Sequence, residues 1–295
     1  MNKITPILLG MSLAVAGSSL AAAQDAATTP SIPMVLQITR EYVKPYRAGM
    51  AHDKTESAFV AAFTRAKFPA YYVALDSMSG RSRALFLTQY ASFADWEKAN
   101  KILDQNPTLG TEIERAGIAD GELLDELDSL AYTYDEDLSY HPHPDISHAR
   151  FMEISVFHVR PGHGDDWHKI AKLVKDAHDK AADSAHWAMF ENAYGAEDGT
   201  YIALTARNSM ADIDSDVAEG KKFRDAIGDE GWKNLNDLFA ATVDVSHSEL
   251  FSINPKQSYV SPDWIKADPE FWKPKAAEAA AKPAAKPTPA APAKP

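Results

Sequence analysis

Three short segments of this 295-residue chain recur in the same order at nearly one spacing. Glu41-Tyr42-Val43-Lys44-Pro45 is answered by Phe157-His158-Val159-Arg160-Pro161, an offset of 116. Ser92-Phe93-Ala94-Asp95-Trp96 is answered by Ser209-Met210-Ala211-Asp212-Ile213 at 117, and Leu138-Ser139-Tyr140-His141-Pro142 by Phe251-Ser252-Ile253-Asn254-Pro255 at 113. A period this long marks a whole structural unit written twice, and a repeated unit buries its apolar surface against its neighbour.

Each copy reads strand, helix, strand, strand, helices, strand. In the first, Met34 to Val43 alternates with Val, Ile, Thr and Tyr, as a half-buried strand does. His52-Asp53 is read as the cap of a helix with the stripe Phe59, Ala62, Phe63 and Ala66. Tyr71 to Leu75 and Ala84 to Tyr90 are strands around Ser79-Gly80; Ala94 to Leu103 and Gly121 to Leu130 are expected helices, and Tyr132 to Tyr140 closes the copy as a strand. The second copy follows with Phe151 to Val159, a helix from Asp165 to Ala182, strands Trp187 to Ala193 and Thr200 to Ala206, helices from Ala211 to Phe239, and the strand Thr242 to Phe251. A β-α-β-β-α-β order is ferredoxin-like, with helices on one face of an antiparallel sheet. Both faces are apolar here, since Leu85 and Leu87 oppose Ala84 and Phe86, and Ile202 and Leu204 oppose Tyr201 and Ala203. The expected fold is therefore α+β: two ferredoxin-like repeats packed sheet to sheet as an intramolecular α/β barrel.

The domain boundaries follow. Residues 1–23 read as a signal peptide, with Lys3, the apolar run Ile7 to Ala16 and a cleavage site at Ala21-Ala22-Ala23. The run is too short to span a bilayer, so the chain is expected in the periplasm or outside the cell after cleavage near Ala23. A linker (24–32) leads to the first repeat (33–142), a linker (143–149), the second repeat (150–255) and a C-terminal extension (256–272). Residues 273–295 contain only Lys, Pro, Ala, one Glu and one Thr, and read as a disordered basic tail able to touch an anionic cell-envelope surface.

On the repeat anchors and element order, residues 33 to 255 resemble tandem dimeric α/β-barrel proteins, the group with NIPSNAP-type, antibiotic-monooxygenase-like and chlorite-dismutase-like members. The resemblance implies either a cofactor-free monooxygenase-like activity or a haem-dependent oxidoreductase. In the haem case, His178 is the residue that matches the axial ligand by its element.

Composition narrows the chemistry. Thirty Lys and Arg against 42 Asp and Glu leave a net charge of −12, which excludes ordinary nucleic-acid binding. The absence of Cys excludes disulfides, thiolate nucleophiles and Cys-held metals. No phosphate-binding, nucleophile-elbow or zincin motif is present. Of the ten His residues, His141, His143 and His148 surround Pro142, Pro144 and Asp145; they are weak metal candidates better read as a polar connector. His158, His163, Asp165, Asp166 and His168 lack the helical pairing of metal ligands, and Asp165 and Asp166 suit a helix start. The remaining candidates form the lining expected of an apolar barrel pocket: Tyr134 and His247 at equivalent positions of the two last strands, Trp187, Phe190, Tyr201 and His178. The leading expectation is an exported protein binding a small apolar or aromatic molecule. The alternatives are the two oxidoreductase types above and a structural or interaction protein of the cell envelope.

Overall fold

A computed structural model describes residues 32–143 and 145–273, so the signal peptide, nearly all of the linker 24–32 and nearly all of the tail 273–295 lie outside the described residues. The chain runs β1 (Val35–Val43), α1 (Met50–Ala66), β2 (Tyr72–Ser77), β3 (Ala84–Tyr90), α2 (Phe93–Asp104), α3 (Pro107–Gly121) and β4 (Leu124–Tyr140). The second half follows with β5 (Phe151–Val159), α4 (Gly164–Ala181), β6 (Trp187–Tyr194), β7 (Thr200–Arg207), α5 (Met210–Thr242) and β8 (Val243–Ile253). Two short helices, α6 (Pro262–Ala267) and α7 (Pro269–Trp272), end the described chain.

The eight strands close one antiparallel barrel in the order β1-β3-β2-β8-β5-β7-β6-β4. Split into halves, this gives β4-β1-β3-β2 and β8-β5-β7-β6, the same ferredoxin-like arrangement twice. The halves meet edge to edge at two seams, β2 with β8 and β4 with β6. The sheets thus share one closed interior, and closure removes the exposed strand edges of each half.

Strand alternation divides the apolar residues as the pleat requires. Leu36, Ile38, Leu85, Leu87, Ile154, Ile202 and Phe251 fill the barrel interior. Val35, Ala84 and Phe86 face outward against the helices of the first half, and Met189, Tyr201 and Ala203 against α4 and α5 of the second. Val260 and Trp272, from the segment after β8, join the interior cluster, and Trp272 Nε1–H donates to Ser147 O at 2.8 Å.

Two local expectations change. His52-Asp53 does not cap α1: the N-cap is Gly49, and His52 lies one turn inside, on the buried face. Nor is Gly121 to Leu130 a helix. The helix starts earlier, at Pro107, where the Asn106 side chain accepts from Leu109 N–H at 3.0 Å. From Leu124 the chain is already strand, paired residue by residue with β1.

Among the described residues no helix is long and apolar enough to cross a membrane.

Candidate functional site

In the second half, the outer face of the sheet does not close fully against its helices. Between β5–β7 and the pair α4/α5 lies a cavity of about 460 Å³. Its floor is Ser155 and Phe157 of β5, Trp187 and Met189 of β6, and Ala203 and Thr205 of β7. Helix α4 contributes Trp167, Ile170, Ala171 and Val174; α5 contributes Phe223, Leu235, Asn236 and Phe239. Helical spacing puts the α4 residues on one face.

Among the described residues no charged side chain lines this cavity, and most of its polar groups are already engaged. Ser155 Oγ meets Ser248 Oγ at 2.6 Å, Thr205 Oγ1–H donates to His186 O at 3.3 Å, Asn236 Nδ2–H to Trp232 O at 2.9 Å, and Trp187 Nε1–H to Leu138 O at 2.9 Å. Trp167 differs. It is 3% exposed, and its Nε1–H makes no hydrogen bond among the described residues. The site is an aromatic slot, and the Trp167 N–H is shielded from it by the packing around the ring.

Helix α5 forms its lid and is not one continuous helix. Gly228 sits at φ 69° and ψ 172°, a conformation available essentially to glycine alone, and breaks the helix between Phe223 and Leu235. Arg224 braces the break: its Nη1–H donates to Gly228 O at 3.0 Å and its Nη2 pairs with Asp229 at 2.8 Å.

The residues expected to form a single pocket are distributed over three places. Trp187 lines the cavity, and Tyr201 packs beside it with its ring 5.7 Å from that of Trp167 and its Oη–H donating to Glu191 at 3.0 Å. His178 is half-buried; its Nδ1 meets Asp183 Oδ2 at 2.8 Å, and its ring packs on two lining residues, 4.5 Å from Phe223 and 5.7 Å from Trp187. Phe190 points instead into the barrel interior, with Tyr134 against it at 5.5 Å. His247 lies at a barrel mouth, lining a separate space of about 340 Å³ with Arg40, Arg81 and Arg83. His141, His143 and His148 do not converge: His141 stacks on Tyr140 at 4.1 Å, His143 packs on His186 at 4.3 Å, and His148 lies 3.7 Å from Asp268.

A haem would need an axial imidazole facing the cavity and cations for its propionates. The carboxylate on His178 Nδ1 is the kind of support a ligating imidazole has. Yet His178 is not among the lining side chains, and the lining holds no Lys or Arg. This cavity does not fit a haem.

The first half holds a different solution to the same space. Helices α1 and α4 each end in a left-handed residue, Lys67 and Ala182, and His52 and Trp167 stand the same number of residues before them, as do Glu56 and Ala171. The bulge that ends the β1–β4 register after Tyr42 recurs after His158, which aligns Glu41 with Phe157. Asp120 and Phe239 each stand four residues before the strand residues, Leu124 and Val243, that pair with Val43 and Val159. The four cavity residues Phe157, Trp167, Ala171 and Phe239 are therefore Glu41, His52, Glu56 and Asp120 in the first half. There the space is closed and polar.

The four polar side chains are buried, with one ligand-capable atom of each within 4.8 Å of those of the others. His52 Nε2 is 2.9 Å from Glu41 Oε2 and 3.5 Å from Asp120 Oδ1. Thr55 Oγ1–H donates to Asp120 Oδ1 at 2.5 Å, and Gln257 Nε2–H to His52 Nδ1 at 3.3 Å. Burial, then the charges of Glu41 and Asp120, push the Glu56 carboxyl up to about 10. Burial also raises Glu41. For His52 burial opposes the charged form, but the bond to Glu41 and the negative charge of Asp120 prevail and raise it. Sequence reading passed over this group, although His52 and Glu56 at i and i+4 carry a detectable ligand spacing.

No family model matches the chain, and no curated protein matches it. Among solved structures it is similar to an anthrone oxidase-like protein, at 12% identity over 77% of this chain and 94% of that one, with a TM-score of 0.46. It is also similar to a haem-binding protein from Thermus thermophilus (11% identity, 81% and 98% covered, TM-score 0.40). A cyanide complex of a mutant chlorite dismutase from Candidatus Nitrospira defluvii is a third (9% identity, 77% and 93%, TM-score 0.41).

Proposed function

We propose that this is an exported protein whose second half binds a small, uncharged, flat apolar molecule in the slot between β5–β7 and α4/α5. The observation that carries the reading is the wall of that slot: five aromatic side chains and, among the described residues, no charge. A volume of about 460 Å³ lies in the range of small-molecule sites, and a mostly apolar lining with few polar groups is their usual character. A charged ligand would lose its hydration there with nothing to replace it. An aromatic ring system suits the rings of the wall. Export rests on the signal-like sequence of residues 1–23.

The test is a fluorescence titration of the full chain with the neutral probe N-phenyl-1-naphthylamine. The expected result is saturable one-site binding that weakens at least tenfold in Ala171→Trp and in Ala203→Phe, two substitutions that fill the slot from opposite walls. Absence of saturable binding, or binding untouched by both fillings in folded protein, would reject the reading.

A further inference from the structure

We propose that Glu41, His52, Glu56 and Asp120 hold one divalent transition-metal ion, so that the first half is a metal centre where the second is an apolar slot. The fold does not require polar groups in this place, because the equivalent positions of the second half carry Phe157, Trp167, Ala171 and Phe239. Something other than packing accounts for them.

Without an ion the arrangement is costly. Among the described residues no Lys or Arg pairs with any of the three carboxyls, and His52 is their sole cationic partner. Buried charges are paired, protonated or bound to metal. Two buried oxygens point the same way: Glu56 Oε1 and Gln257 Oε1 make no hydrogen bond, in side chains 3% and 0% exposed. An ion would take up the first. Its capture of His52 Nε2 would leave Nδ1–H as a donor, and turning over the Gln257 amide would bring Oε1 to accept from it in exchange for the bond that Gln257 Nε2–H gives Asp53 Oδ1 at 3.0 Å. Donor atoms around an ion at about 2.0–2.2 Å lie up to about 4.4 Å apart, so atoms within 4.8 Å close on one by small shifts. Three carboxylates with one imidazole lie between the all-oxygen sets of Ca²⁺ and Mg²⁺ and the nitrogen- and sulfur-rich sets of copper, and match Mn²⁺ or Fe²⁺. Thr55, the residue bonded to Asp120, also lines a groove between α1 and α3.

The experiment uses full-length protein stripped with EDTA, loaded with Mn²⁺ and desalted. The account expects one Mn²⁺ retained per chain and a nitrogen modulation from a directly bound imidazole in its pulsed electron paramagnetic resonance spectrum. Glu56→Gln and Asp120→Asn, each checked for fold by circular dichroism, should weaken retention at least tenfold. His143→Ala/His148→Ala should retain it fully. Wild-type protein that keeps no Mn²⁺, a signal without nitrogen modulation, or retention lost in the His143/His148 variant but kept in Glu56→Gln would overturn the proposal; the wild-type spectrum decides even if the variants do not fold.

Discussion

Trp167 N–H is a buried donor without a partner among the described residues, and that predicts an unusual response to substitution. An unmade buried hydrogen bond costs about 1–3 kcal/mol. Trp167→Phe removes the donor along with part of the ring, so the two effects oppose each other. The melting temperature of the ligand-free protein is expected to move by no more than about 3 °C, where an ordinary buried tryptophan truncation does far more. Because the N–H is shielded from the slot, naphthalene and 2-acetylnaphthalene, which carries a carbonyl acceptor, should bind the variant alike, each within about threefold of wild type. A loss confined to 2-acetylnaphthalene would show that the N–H turns into the slot when ligand binds.

At the scale of elements, the break in α5 separates Phe223 from Leu235, Asn236 and Phe239, so the lid is two short helices set at an angle by Gly228. A Cβ at Gly228 meets no atom within 4 Å, which leaves backbone strain as the whole cost of Gly228→Ala, about 1–3 kcal/mol. The expected outcome is a melting temperature lower by roughly 5 °C together with weaker probe binding, as the lid residues lose their placement. Gly110→Ala, inside α3 with equal room but ordinary backbone, is the control and should stabilise slightly. An equal effect of the two substitutions would remove the special role of the break. The element order was legible in the sequence because alternation and helical spacing are strong in most of these segments, as in Phe151–Val159 and Gly164–Ala181. It failed between Gly121 and Leu130, where Leu123, Leu124, Leu127 and Leu130 carry a helix-like spacing but pairing with β1 decides the conformation.

At the scale of the whole molecule, the repeat anchors were enough to place two equivalent halves in one barrel, because a duplicated unit carries its own topology. They could not place the site. Tyr134 and His247 stand at like positions in the sequence, but one packs toward the interior and the other lines a barrel mouth. Phe190 follows the cavity residue Met189 directly, and strand alternation turns it to the opposite side of the sheet. What the two halves do differently is set by four aligned positions, Glu41 with Phe157, His52 with Trp167, Glu56 with Ala171 and Asp120 with Phe239, and that alignment becomes visible only through strand register and helix ends. Xenon enters dry apolar cavities and has no affinity for a filled polar cluster. A crystal of the full chain under xenon pressure therefore tests the asymmetry in one measurement. The account predicts xenon density between Trp167, Ala171 and Phe239, and none between His52, Glu56 and Asp120. Density in the first half, or an empty second half, would contradict it.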